Sequence, residues 1–281
     1  MTNKEILYKG NKILKENNLP ENISLDILYI VNSKIKNIND YYEHQFSKIN
    51  AKDEEYFLKI LNEYLKNTPL NFFSKTKNFY SREFILKDNV FCPRYETEKI
   101  IDILKDNINL KEKINILDLC SGSGNIGLTA ALEYKNSYVE LVDIDNNAIS
   151  NIQDNIKKFN IKNTKVTISN LFENINSKFD VILMNPPYIK RDDDYVDETA
   201  KKFDPEKSLF ADNDGFDFYY QILEQSKNYL NKKNLIIFEI GYNQKEKLEE
   251  YLKDKDIKNF DFINDYFNKN RFLIIKNLYD V

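Results

Sequence analysis

From about residue 97 onward, short apolar runs alternate with longer amphipathic ones, and this alternation constrains the fold more than any other feature of the 281 residues. INILDL (114–119), YVELVD (138–143), TKVTIS (164–169), FDVILM (179–184) and NLIIFEI (234–240) have the length and β-branched content of strands. The stretches 125–134, 146–159, 215–231 and 244–254 have helical periodicity instead. Such an alternation predicts an α/β fold, a mostly parallel sheet with helices on both faces. Ligands of these sheets bind beyond the C-terminal strand ends, where the strand order reverses.

The N-terminal part reads differently. Residues 1 to about 75 hold one Gly and two Pro, and apolar side chains recur at helical spacing, as in Leu28, Val31, Ile35 and Tyr56, Ile60, Tyr64. A small helical domain over 1–75 is predicted. The text FYSREFILKDNVFCP (79–93) alternates on either side of a Lys87-Asp88-Asn89 turn signal, which predicts a β-hairpin linker over 76–97 and leaves 98–281 as the α/β domain. No internal repeat or low-complexity tract interrupts this plan.

Composition narrows the functions available. With 42% hydrophobic and 31% charged residues the chain is of the packed globular kind, and its net charge of -4 provides no global field for a polyanion. Residues 1–80 carry 12 Lys and no Arg against 10 acidic residues, a slight basic lean; the remainder is acidic, so direct binding of nucleic acid is not expected. Two cysteines, Cys92 and Cys120, are too few for a disulfide framework and point to a reducing, cytoplasmic compartment. Neither an apolar run of ~18 residues nor a signal-peptide core is present, so no membrane association is expected. No oligomerisation signature is visible, and a monomer is the default.

Half of the six glycines, Gly122, Gly124 and Gly127, fall within LDLCSGSGNIG, directly after the first strand and opening a helix. A glycine-rich turn there lets backbone approach a ligand and aims helix N-terminal N–H groups at it. Asp143 ends the next strand, about 20 residues on, where a carboxylate can accept hydrogen bonds from ribose hydroxyls. Together they predict a nucleoside site, which a nicotinamide cofactor or S-adenosylmethionine would fit equally. Asn185-Pro186-Pro187-Tyr188, after the strand FDVILM, decides between them. The two prolines fix the backbone and remove donors, so the Asn185 side-chain oxygen and the Pro186 carbonyl can both accept from one planar NH2 group. Gripping both hydrogens orients a conjugated nitrogen toward an electrophile and favours positive charge on it, while Tyr188 offers a flat face to the substrate. Hydride transfer has no use for a gripped NH2, so a methyl donor is expected.

These motifs resemble those of the class I S-adenosylmethionine-dependent methyltransferases that act on planar nitrogens, whose Rossmann-like sheet matches the predicted one. Ordered agreement along 66–281 narrows the resemblance to the release factor glutamine methyltransferases of HemK type. FYSREFILKDNVFCPRYETE (79–98) is similar to that family's "FYG…F…V.IPRPETE", FDPEKSLFADNDG (203–215) to "YEP..AL....DG", and EIGYNQ (239–244) to "EIG..Q". The resemblance implies methyl transfer to the glutamine amide of the Gly-Gly-Gln loop of peptide-chain release factors, with the helical domain recognising the protein substrate. It places donor binding on Asp118, Cys120, Ser121, Gly122, Ser123, Gly124, Asp143, Asn170, Leu171 and Asn185. Catalysis falls on Asn185, Pro186 and Tyr188, and substrate binding on Asn185, Pro186, Pro187 and Tyr188. The chain departs from the family pattern at Cys120, Ser81 and Lys75, each where Gly is usual, at Asn170 where Asp is usual, and at Tyr95 where Pro is usual.

Other candidates take plainer readings. His44 lies far in sequence from the motifs and reads as a solvated helix residue. Asp192–Asp194 lacks the glycine-bearing loop of a calcium site, and Asp143-x-Asp145-x-Asn147 has Ala148 at the position that needs Gly, so no metal is expected. Two rival functions share the motifs: an amino methyltransferase of DNA or RNA bases, which would need base flipping on paired targets, and a non-catalytic module of the same fold.

Overall fold

The computed structural model describes residues 1–193 and 196–278; Asp194 of the acidic triplet lies outside the described residues. Two compact units divide at Lys75/Thr76. The first holds helices α1 (Asn3–Glu16), α2 (Ile23–Val31), α3 (Ile38–His44), α4 (Ala51–Tyr64) and the single turn α5 (Asn71–Ser74). α1 starts at a capping box, with the Thr2 hydroxyl accepting from Glu5 N and the Glu5 carboxylate from Thr2 N. Ile6, Leu14, Ile27, Leu28, Val31, Ile35, Phe57, Ile60 and Leu61 form this unit's core. Of the expected stripe on α4, Ile60 is buried and Tyr64 packs against this core, whereas Tyr56 is 39% exposed and Phe57 is buried beside it. His44 ends α3, and its carbonyl accepts from the Asn3 side chain.

The second unit opens with a hairpin of β1 (Thr76–Phe79) and β2 (Arg82–Ile85). Its turn is Tyr80-Ser81, not the expected Lys87-Asp88-Asn89. Both central residues have positive φ, 49° and 59°, as a two-residue turn matched to strand twist demands, but neither is the Asn or Gly that usually announces it. After α6 (Lys99–Asn107) come β3 (Asn115–Leu119), α7 (Asn125–Glu133), β4 (Tyr138–Asp143), α8 (Asn146–Phe159), β5 (Thr164–Ile168) and β6 (Phe179–Met184). The short β7 (Ile189–Lys190), α9 (Glu198–Phe203) and β8 (Phe210–Ala211) precede α10 (Asp217–Gln225), β9 (Leu230–Glu239), α11 (Lys245–Asp254), β10 (Phe260–Asn264) and β11 (Asn270–Lys276). The helix expected over 215–231 therefore stops at Gln225. β9 begins four residues before the expected 234, because Asn231, Lys232 and Lys233 disguise its start.

The main sheet has the order β10-β11-β9-β6-β3-β4-β5, parallel except for the antiparallel β11. Alternate residues of each central strand feed two cores. Ile116, Val139, Leu141, Val181 and Leu183 pack with α6, α7, α8 and the hairpin on one face. Leu117, Leu119, Ile182, Met184 and Phe238 pack with α10 and α11 on the other. Burial on both faces explains why these strands read as continuous apolar runs. Strand order reverses between β3 and β6, and the crevice that this opens at their C-terminal ends is where the motif residues fall. No helix among the described residues is long and apolar enough to cross a membrane.

Candidate active site

β3 ends in Asp118-Leu119, and the chain turns through Cys120, Gly122 and Gly124 at φ 54°, 53° and 83° before entering α7. Ser121 ties this turn to both strands. Its N–H donates to the Val142 carbonyl (3.0 Å), and its Oγ donates to the Asp118 carbonyl (2.7 Å) and accepts from Val142 N (2.9 Å). Asp118 lies beneath the loop, fully buried, with Oδ2 accepting from Gly127 N at 2.9 Å. A Cβ on Gly127 would fall 2.7 Å from that oxygen, so this third glycine is what lets α7 close onto β3. Burial pushes Asp118 up to about 7, and its Oδ1 has no partner among the described residues. It braces the turn from below.

Asp143 closes β4. Its Oδ2 accepts from Gly122 N at 2.8 Å and its Oδ1 from Asp145 N at 2.9 Å; burial raises its pKa and these N–H groups oppose the rise. Asp145, the second acid of the supposed calcium loop, caps α8 through Asn147 N and pairs with Lys207 at 2.9 Å. No group of three metal-ligating acids, His or Cys occurs among the described residues.

A cavity of about 390 Å³ opens over these groups. Of the predicted residues it gathers Cys120, Ser121, Gly122, Ser123, Asp143, Asn170, Leu171, Asn185 and Pro187 along its walls; Asp118, Gly124, Pro186 and Tyr188 do not line it. Ile144, apolar and 62% exposed beside Asp143, also lines it, as do Val90 and Phe91 from the chain after the hairpin and Pro205 and Phe210 from the segment between α9 and α10. Asn125 is 2% exposed at the cavity wall, and neither atom of its amide has a partner among the described residues. Buried polar groups are normally paired, so an unpaired amide on a cavity wall is suited to a polar ligand. Asn170 lends its Nδ2 to Glu173 at 2.8 Å. Burial holds the Cys120 thiol well above its ordinary range.

Asn185-Pro186-Pro187-Tyr188 follows β6 directly. Asn185 Nδ2 points to Thr97 Oγ1 at 3.5 Å. The Tyr188 phenol donates to Glu239 Oε1 at 3.3 Å, because a phenol oxygen at depth needs a polar partner. Burial raises this phenol's pKa, and burial also pushes Glu239, 1% exposed, up to about 7. The Tyr188 carbonyl accepts from Gln244 Nε2 at 3.0 Å, and the same nitrogen reaches the Gly215 carbonyl at 3.2 Å. Gly215 has φ 90°, and a Cβ there would sit 2.2 Å from Tyr188 O, so no other residue fits. Nearby, Arg94 Nη2 pairs with Asp204 Oδ2 at 2.6 Å, and Asp204 Oδ1 accepts from Cys92 N at 3.0 Å. The outlying segments 92–98, 203–215 and 239–244 thereby become walls and struts of one site. Their text was visible in the sequence; the roles of Thr97, Asn125, Ile144, Gly215, Glu239 and Gln244 needed the fold to bring them together.

A glycine-rich turn after β3, an acid closing β4 and Asn-Pro-Pro-Tyr after β6, all at the switch point of a mostly parallel sheet, define a methyltransferase. Residues 82–204 accordingly match the family model "Methyltransferase small domain". The "Release factor glutamine methyltransferase" of Mycoplasma mycoides subsp. mycoides SC is 34% identical over 256 residues, covering 89% of this chain and 89% of that protein. The proteins of the same name from Fusobacterium nucleatum subsp. nucleatum and Bacillus cereus are each 31% identical, over 98% and 89% of this chain and 78% and 89% of their own lengths. The chain belongs to the release factor glutamine methyltransferase family.

Proposed function

We propose that the chain transfers the methyl group of S-adenosylmethionine to the side-chain amide nitrogen of the glutamine in the Gly-Gly-Gln loop of release factors. On this reading it works as a cytoplasmic monomer without direct nucleic-acid contacts. The observation that carries the reading is that Asn185 and Pro187 share one cavity with the Cys120–Ser123 turn and Asp143. The residues fit the donor: the volume lies in the range of small-molecule sites, and the unpaired Asn125 amide offers both a donor and an acceptor at the wall. Asp143 would accept from ribose hydroxyls, Ile144 and Leu171 would flank the base with Asn170 at its edge, and the Cys120–Gly124 turn, braced by Asp118, would lie along the remainder.

When bound, the donor supplies a methyl group on a sulfonium, which is an electrophile. An amide nitrogen is a weak nucleophile, because its lone pair is conjugated with the carbonyl. Asn185 Oδ1 and the Pro186 carbonyl, accepting its two hydrogens, would aim that nitrogen and favour the positive charge that develops on it. The nitrogen then loses a proton to water, so no dedicated base is required. Pro187 holds the turn rigid, Tyr188 anchors it to Glu239, and the helical unit 1–75 would recognise the protein substrate.

Incubation with methyl-labelled donor and a release factor, beside the same factor with its loop Gln changed to Ala, tests the reading. Label on the first factor alone is expected. Asn185→Ala should lose roughly 100-fold or more in turnover, the scale on which oriented acceptors act, with a far smaller loss in donor affinity. Full turnover in that variant, or equal label on both factors, would refute the assignment.

A further inference from the structure

Gln244 is 4% exposed and stands at the N-cap of α11, yet its side chain makes no capping bond to that helix. It turns instead toward the Asn185–Tyr188 turn, and every hydrogen-bonding position of its amide is filled. Nε2 donates to the Tyr188 carbonyl at 3.0 Å and to the Gly215 carbonyl at 3.2 Å. Oε1 accepts from Gly241 N at 2.8 Å and from the Tyr219 phenol at 3.3 Å. A side-chain amide is nearly symmetric in shape, but this one fits only one way round. A backbone N–H only donates and a backbone carbonyl only accepts, so a flipped amide would set N–H against N–H and oxygen against two oxygens.

Two carbonyls converge on one nitrogen because the chain at Gly215 presses directly on the exit of the Asn185–Tyr188 turn. A Cβ on Gly215 would fall 2.2 Å from Tyr188 O. One residue past Tyr188, β7 pairs with β8, and Ile189 N donates to the Leu209 carbonyl at 3.0 Å. Without a donor between them, the Tyr188 and Gly215 oxygens would repel each other and lose a partner at depth. The entry of the turn is held by Met184, which β6 registers against Leu119 and Phe238 of its neighbours. Between the two ends the proline rings fix φ, so pinning entry and exit sets where the Asn185 side chain and the Pro186 carbonyl stand. We infer that Gln244 is a positioning residue for methyl transfer, whose NH2 clamps the exit of the turn against Gly215 and thereby fixes the groups that grip the substrate NH2. This inference rests on the reading that Asn185 and Pro186 accept from that NH2. Gln244 does not line the cavity, so it acts through the turn.

Gln244→Glu and Gln244→Met separate positioning from packing, since both nearly keep the length of the side chain. An ionised Glu can donate to neither carbonyl, its protonated form can donate to one, and a carboxyl at this depth titrates above its ordinary range. Relative to wild type, kcat of Gln244→Glu should therefore lie within about threefold at low pH and fall roughly tenfold or more as pH rises, the scale of a misplaced gripping group. Gln244→Met should be low at every pH. Tyr219, Tyr188, Glu239 and Arg271, the titratable groups around the clamp, are common to variant and wild type, so the ratio isolates the new carboxyl. Donor affinity should stay within about twofold in both variants. A second readout needs no turnover. Labelling Tyr carbonyls with 13C and Ile nitrogens with 15N selects the two Tyr–Ile pairs of the chain, Tyr29–Ile30 and Tyr188–Ile189. The Tyr188 carbonyl should shift in Gln244→Met and, with pH, in Gln244→Glu, while Tyr29 stays in place. Wild-type kcat in Gln244→Met, a pH-independent ratio in Gln244→Glu, or loss of donor binding in step with kcat would overturn the clamp. If the wild type binds donor but leaves the release-factor glutamine unlabelled, the substrate reading fails instead, and the Tyr188 shift still decides the clamp.

Discussion

Cys120, Ser81 and Lys75 have in common that each stands where the family usually carries Gly, and each adopts a left-handed backbone, with φ 54°, 59° and 54°. The sequence showed the departures but not their conformation, because a Cys or Lys gives no sign that its backbone is left-handed. A side chain in this region costs about 1–2 kcal/mol, and glycine's extra freedom in the unfolded chain offsets part of the relief. Cys120→Gly should therefore stabilise the protein by ~0.5–1 kcal/mol, seen as a higher urea midpoint at unchanged m-value. Since the Cys120 side chain lines the cavity, donor affinity measured in the same variant reports what the side chain contributes there. A lower midpoint would mean that its packing against Leu117, Leu119 and their neighbours outweighs the backbone strain.

At the scale of elements, α8 does more than cover the sheet. Its Asn151, fully buried, donates to the Ser123 carbonyl at 2.9 Å and accepts from Lys87 N at 2.9 Å; one turn on, Asn155 accepts from Ile85 N at 2.7 Å and donates to the Ile85 carbonyl at 2.9 Å. Two asparagines thus treat the chain leaving the hairpin almost as a neighbouring strand would, and Asn151 joins two walls of the cavity, the Cys120–Gly124 turn and the segment bearing Val90 and Phe91. Asn151→Ala leaves two backbone groups without partners, at about 1–3 kcal/mol each. A lower melting temperature and roughly tenfold weaker donor binding are expected, whereas Asn147→Ala, exposed on the same helix, should change neither. Equal donor binding in both variants would show that the walls are held by other contacts. The main strands and α8 were legible in sequence because short apolar runs and 3.6-residue periodicity are local signals. The Tyr80-Ser81 turn, the start of β9, and β10 with its antiparallel neighbour β11 were not, since a turn without Asn or Gly and strands with polar ends give no local cue. The asparagine clamps were invisible for another reason: they join residues 64 and 70 positions apart.

For the whole molecule, the decisive feature is that the two units keep separate cores and that only one of them builds the cavity. The first unit buries its apolar residues from Ile6 to Leu61 in one cluster, the sheet unit closes its own two layers, and every cavity-lining residue lies between Asn89 and Phe218. If the first unit serves recognition of the protein substrate, removing it should leave donor binding alone. The fragment 76–281 is expected to fold cooperatively and to bind donor within about twofold of the full chain, because no wall of the site is lost. Transfer to the release factor should fall on the order of tenfold or more, chiefly through a raised KM, since uniform binding energy would be removed and the reacting groups would not. Titration calorimetry with donor and steady-state transfer kinetics on both proteins measure the two quantities. A fragment that modified the release factor with an unchanged KM would move substrate recognition entirely onto the sheet unit. A fragment with unchanged KM but lower kcat would instead assign the helical unit a part in holding the gripped glutamine during transfer.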